Sequence, residues 1–266
     1  MLILAIDTTS EVGGVGVFRD SECLTVIRNQ GQENHYSVTL FEMVEQSLAQ
    51  VRRQLSEVDL YAVANGPGSF TGIRVGLAAA RAWGKAFERP VRGVSVLDAI
   101  ANAARPTSDW VFPIIDARRG EFFVGCFRQC KAQTAVATPA GTDSVTKPPS
   151  LKAGVTPEAA FAVGLDYEPV DDGLILKPDS LYAFVQDHTG DGATATCVVR
   201  AHDRAAADLR AGAPVSMAWQ QVEGVLLRSI AEIARNEEIR GLPCPAAKLD
   251  AYYLRRPDAE IKLGTG

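Results

Sequence analysis

The chain has 266 residues and a mass of 28.4 kDa, enough for one large or two small domains with a proper core. Its 47% hydrophobic and 22% charged residues are ordinary for a soluble globular protein, and no apolar run approaches the ~20 residues of a membrane span. A net charge of −5 and a pI near 5.3 exclude a surface that attracts nucleic acid as a whole, so any RNA is expected to be held mostly by another molecule.

The opening MLILAID lacks the basic start and cleavage site of a secretory signal, and a cytosolic protein is expected. LILAID, VGGVGVF and CLTVIRN then read as three strands of an antiparallel meander. Asp7 ends the first strand and is followed by Thr8, Thr9 and Ser10. At the carboxyl edge of an open sheet, an acid beside hydroxyls suits a phosphate or a hydrated metal, or else simply caps the turn. Asn34 to Leu55 is expected as an amphipathic helix, with Tyr36, Leu40, Met43, Val44 and Leu48 among the residues on its apolar half.

After a short strand at Leu60 to Ala64 comes Asn65 to Phe87, a glycine-rich turn feeding a helix whose N-cap is Ser69. On the helical wheel Arg74, Arg81, Lys85 and Glu88 share one narrow arc, while Gly72, Gly76, Ala79, Trp83 and Phe87 lie opposite. Val75, Ala78, Ala82 and Ala86 form one flank, and Ile73, Leu77, Ala80 and Gly84 the other. A helix so little charged is expected to be covered on two sides. Gly72, Gly76, Ala80 and Gly84 recur every four residues, and helix glycines cost about 1 kcal/mol each, so a packing reason is expected. Two are open: close contact with the parent sheet, or a docking face for another protein. On the docking reading Gly76→Leu leaves the monomer folded and blocks association.

Val91 to Val94 reads as a strand and Leu97 to Ala104 as a short helix. Then the beginning repeats: Ile6, Asp7, Val15, Gly16 and Phe18 match Ile115, Asp116, Val124, Gly125 and Phe127 at a constant offset of 109, which argues for two copies of one unit. Lys131 to Ser150 is expected as a mobile surface excursion, and strands are faint from Val163 to Leu176. Asp179 to Gln186 reads as a helix, Thr196 to Arg200 as a strand, Ala205 to Gly212 as irregular, Ser216 to Asn236 as an amphipathic helix and AYYLRRP as an extended tail. The five cysteines (Cys23, Cys126, Cys130, Cys197, Cys244) include no CxxC pair, and buried free thiols are expected, with Cys126 and Cys130 on one face of a strand.

TTSE after the first strand, HYS opening the first helix, NGPGSFTGIRVG opening the second, VSVLDAIA, IDARRGE and YYLRRPDAE together resemble the TsaB (YeaZ) family. The resemblance covers nearly all of residues 1–128 and, more loosely, the last third. It implies the duplicated actin, sugar-kinase and chaperone-ATPase type of α/β fold, two lobes each with a mixed sheet flanked by helices. The lobes are placed at 1–104 and 105–266, with the final helix free to pack back on the first. It also implies a non-catalytic subunit that pairs with a TsaD paralogue, the threonylcarbamoyl transferase, and with the TsaE ATPase, in making N6-threonylcarbamoyladenosine (t6A) on tRNA. The pairing would use the first two helices, through Tyr36, Leu40, Met43, Ser69, Gly72, Ile73, Gly76, Ala80 and Trp83; a homodimer is expected when the partner is absent, and tRNA is reached indirectly.

Catalytic and metal residues are expected to be absent. A TsaD-like enzyme holds metal with histidines at i and i+4, but His35 is followed at that spacing by Thr39. CVVRAHD (Cys197 to Asp203) lacks the glycines that family members carry there. Asp7, Thr8, Thr9 and Asp116 are therefore read as a vestigial cleft, with ATP and Mg²⁺ bound weakly at most or through partners. The alternatives are a phosphotransferase or ATPase using Asp7 and Asp116 around Mg²⁺, and, least favoured, a metallopeptidase.

Overall fold

The computed structural model describes residues 1–29, 36–130, 167–171, 173–189, 192–244 and 249. The first lobe runs β1 (Leu2–Asp7), β2 (Gly14–Arg19), β3 (Glu22–Arg28), α1 (Tyr36–Gln50), β4 (Leu60–Gly66), α2 (Phe70–Phe87), β5 (Val91–Ser95) and α3 (Val96–Ala104). The second runs β6 (Trp110–Asp116), β7 (Phe122–Val124), β8 (Phe127–Gln129), β9 (Tyr167–Pro169), β10 (Leu174–Leu176), α4 (Pro178–His188), β11 (Ala195–Arg200), α5 (Arg204–Ala211), β12 (Ala218–Val222) and α6 (Leu227–Ile239).

The first sheet has the order β3-β2-β1-β4-β5, and the path through the second is β10-β7-β6-β11-β12. Each begins with antiparallel hairpin pairing and ends with two parallel additions. The repeat seen in one hairpin thus extends through the whole lobe: β4, α2 and β5 have β11, α5 and β12 as counterparts. Gly16 and Gly125 are matched locally as well. A Cβ at Gly16 would lie 2.8 Å from the Phe18 ring, and one at Gly125 would lie 2.7 Å from the Phe127 ring. This is the duplicated actin and sugar-kinase type of architecture.

Three apolar layers hold it. α1 and α2 cover the outer face of the first sheet, where Leu40, Val44, Ile73 and Leu77 meet Leu4, Ile6 and Val63. α4 and α5 cover the outer face of the second, where Leu181, Val185 and Leu209 meet Phe112, Val124 and Val199. Between the sheets lie α3 and α6, and each crosses over: α6, from the second half, packs on β1, β2, β4 and β5, while α3 reaches β6, β11 and β12. Burying both sides of each sheet explains why their central strands are nearly continuous apolar runs.

Several expectations need correction. The first helix stops at Gln50 and Arg52 turns left-handed, so Leu55 lies in a separate 3₁₀ turn. Ala205 to Gly212 is a helix, started by Asp203, whose carboxylate accepts the Ala206 N–H at 3.0 Å. The stretch Ser216 to Asn236 is a strand followed by a helix, because AWQQV pairs in parallel with β11. Its expected packing residues Val222, Leu226, Ser229, Ile230 and Ile233 are nonetheless buried. Cys126 sits in a break between β7 and β8, so no strand carries it together with Cys130. Cys126 and Cys197 are buried free thiols, and burial pushes Cys197 up to about 12. The excursion from Lys131, Asn34 with His35, and the AYYLRRP tail lie outside the described residues.

Candidate functional site

The turn between β4 and α2 is built for close approach. The Ser69 N–H donates to the Thr9 carbonyl at 2.7 Å, and a Cβ at Gly68 would stand 2.4 Å from that same oxygen. Ser69 caps α2 by accepting the Gly72 N–H at 3.3 Å. Thr8 lies under the first turn of the helix, its hydroxyl donating to the Gly72 carbonyl at 2.6 Å.

The spacing of helix glycines is explained within the lobe. A Cβ at Gly72 would come 1.9 Å from the Thr8 carbonyl oxygen, one at Gly76 2.5 Å from the Thr8 hydroxyl, and one at Gly84 2.2 Å from a Val91 methyl. The row therefore faces the parent sheet, and the docking reading of these glycines, with the expectation that Gly76→Leu leaves the monomer folded, is set aside. Tyr36, Leu40, Met43, Gly72, Ile73, Gly76, Ala80 and Trp83 are all buried in their own lobe, because the apolar halves of both helices pack on the sheet. Ser69 alone of the nine expected contact residues is exposed.

What the helix pair presents outward is a different set. On α1, Val38 is 76% and Phe41 59% exposed. Phe41 lies edge-on to Trp83 of α2, ring centroids 5.7 Å apart. On α2, Ala78, Ala82 and Ala86 are exposed, beside the charged arc of Arg74, Arg81 and Lys85. The open flank is thus the alanine row and not the glycine row to which sequence reasoning assigned docking.

At the carboxyl edge of β1, Asp7 is wholly buried and both carboxylate oxygens are engaged. Oδ1 accepts the Thr9 N–H at 3.0 Å and the Thr9 hydroxyl at 2.6 Å, and Oδ2 accepts Arg200 Nη2 at 2.9 Å across the two lobes. Arg200, 6% exposed, also donates from Nε to the Gly224 carbonyl at 3.0 Å. Tyr36, the first residue of α1, completes the wall: its hydroxyl accepts the Gly13 N–H at 2.7 Å and donates to the Ser10 carbonyl at 2.9 Å. Burial, then the Asp7 charge, holds that phenol well above its ordinary value.

Asp116 ends β6 but stands apart from this group. Its carboxylate accepts the Arg118 N–H at 2.7 Å, and its own N–H donates to Asp203 at 3.1 Å. A metal–nucleotide of the kind this fold often carries does not fit these residues, since Asp7 turns no free oxygen toward the cleft. Among the described residues no group of three or more His, Cys, Asp and Glu could hold a metal, and no helix is long and apolar enough to cross a membrane. Arg200 was missed by sequence reasoning, which placed it at the end of a strand and gave it no partner.

The chain matches the family model described as TsaD, tRNA N6-adenosine threonylcarbamoyltransferase, over residues 29–168, just over half its length. It is 31% identical over 128 residues to the tRNA threonylcarbamoyladenosine biosynthesis protein TsaB of Bacillus subtilis, covering 48% of this chain and 56% of that one. It is 35% identical over 191 residues to an uncharacterized protein of Mycobacterium leprae, covering 70% of this chain and 51% of that one. The chain thus spans about half the length of these curated relatives. The solved YeaZ from Pseudomonas aeruginosa shares the fold at a TM-score of 0.67 and 20% identity, covering 95% of this chain and 99% of that one. By the family model and the curated relatives the chain belongs to the TsaB (YeaZ) family, and the solved structure shares its fold.

Proposed function

We propose that this chain is a non-catalytic subunit that binds and activates a TsaD-type threonylcarbamoyltransferase in the formation of t6A on tRNA. The observation that carries the reading is the outward face of the helix pair. Val38 and Phe41 are large apolar side chains left in water, next to a flank of alanines that lets another helix come close. A partner helix laid along α1 and α2 would bury both, and Arg74, Arg81 and Lys85 would offer charge at its rim. The engaged state of Asp7 supports a non-catalytic role, because the residue best placed for metal-assisted chemistry is already neutralised. TsaE joins as a further partner, tRNA is met through the assembly, and the working compartment is the cytoplasm.

The test is co-purification with the TsaD and TsaE paralogues of the same organism, followed by a t6A assay with this chain left out. Stable association and loss of modification without the chain are expected. Phe41→Asp should abolish association while the variant melts like the wild type; unimpaired association would remove the helix face from the proposal. Without a partner, the same face is expected to pair two copies of the chain, read as a concentration-dependent mass in sedimentation.

A further inference from the structure

We infer that Arg200 is a built-in counter-ion that holds the inter-lobe cleft shut on Asp7, so that closure of the two lobes belongs to the chain itself and not to a bound ligand. The two residues are 193 positions apart and end central strands of different sheets, β1 in the first lobe and β11 in the second. Their side chains meet at 2.9 Å at a site from which water is almost wholly removed. Each is satisfied by the protein alone. Asp7 spends its other oxygen on Thr9, and Arg200 also donates to the Gly224 carbonyl, through Nε at 3.0 Å and through Nη2. Gly224 lies close to the first lobe: a Cβ added there would stand 3.4 Å from a Val12 methyl, so the ion pair lies at a seam and not in an open gap.

The physical consequence follows from burial. A carboxylate with no exposure is tolerable only with a partner of opposite charge, and a bound cation is one way to supply it. Here a guanidinium delivered by the second lobe supplies it, with two donor nitrogens directed at fixed oxygens. Opening the cleft would strip Asp7 of its counter-charge, so the closed arrangement is favoured without any added ligand. This inference does not depend on the subunit reading, and would hold for a chain with no partner.

A double-mutant cycle on the full chain tests it. Asp7→Asn and Arg200→Met should each lower the melting temperature by roughly 10 °C, since each leaves one buried group without its partner. Asp7→Asn/Arg200→Met should recover most of that loss, and single losses that simply add would overturn the inference. If either single variant is insoluble, the double variant should still be soluble; a double variant equally insoluble also counts against it. In parallel, millimolar ATP with Mg²⁺ should leave the wild-type melting temperature unchanged. A dose-dependent rise would show that a ligand displaces the arginine and would overturn it.

Discussion

The two lobes carry the same aspartate at the same strand end, and the two residues lead different lives. Asp7 is covered by the start of α1, the glycine-notched first turn of α2 and an arginine from the other lobe, and it is wholly buried. Asp116 has a side chain 21% exposed and serves its own turn, accepting from the Arg118 N–H two residues on. The second turn is also one residue shorter: Asp7 pairs with Gly14, seven positions on, whereas Asp116 pairs with Phe122, six positions on. Arg118, Arg119 and Gly120 all take left-handed conformations there. Duplication therefore preserved backbone and residue type, while the surroundings decided which copy became an inter-lobe anchor and which a local cap.

That contrast can be broken most sharply at the aspartates themselves. Asp7→Asn should cost roughly 3–5 kcal/mol of unfolding free energy by denaturant titration, and Asp116→Asn less than about 1, because only the first leaves a buried charge unpaired. Equal losses would mean that burial does not distinguish the two. Next in size comes Gly76→Leu, expected to destabilise by about 3 kcal/mol, as the new side chain meets the Thr8 hydroxyl and Val63. Gly120→Ala, with nothing within 4 Å, should lose only the left-handed preference, about 1 kcal/mol.

Asp203→Ala sharpens the comparison within the second lobe. It removes the cap of α5 and the acceptor for the Asp116 N–H together, and should cost roughly 1–2 kcal/mol. Alkaline pH offers a smaller effect, of one sign in both lobes but with a different onset. Buried Cys197 and Cys126 in the second lobe have folded values raised above the ordinary 9.0, and Tyr36 and Tyr61 in the first above 10.0. A raised folded value means the native state holds the proton longer. Stability is then full below pH 9 and falls as pH rises from 9 toward 12, with the thiols contributing before the phenols. Cys197→Ala should make that fall shallower between pH 9 and 10; an unchanged slope would show that the thiol is not shielded. Smallest of all, Val38→Ser should shift stability by no more than about 0.5 kcal/mol, since it alters only an exposed side chain.

The amino-acid sequence determined most of the local frame. Short apolar runs and turn residues placed β1 to β5, Ser69 marked the start of α2, and five identities at offset 109 announced a duplicated unit. It did not determine what covers a helix. The wheel of α2 named an uncharged, small-residue surface, but only the tertiary structure decided that the glycines meet Thr8 and Val91 and that Ala78, Ala82 and Ala86 stay open. The β12 strand hid inside a helical period because its partner, β11, lies some twenty residues away and the pairing is parallel, with no local turn to betray it. Arg200 read as a strand end beside a missing glycine; its bond to Asp7 exists only because two sheets, built from residues 193 apart, meet at one seam. Periodicity records which face of an element is apolar, and long-range packing alone supplies the neighbour.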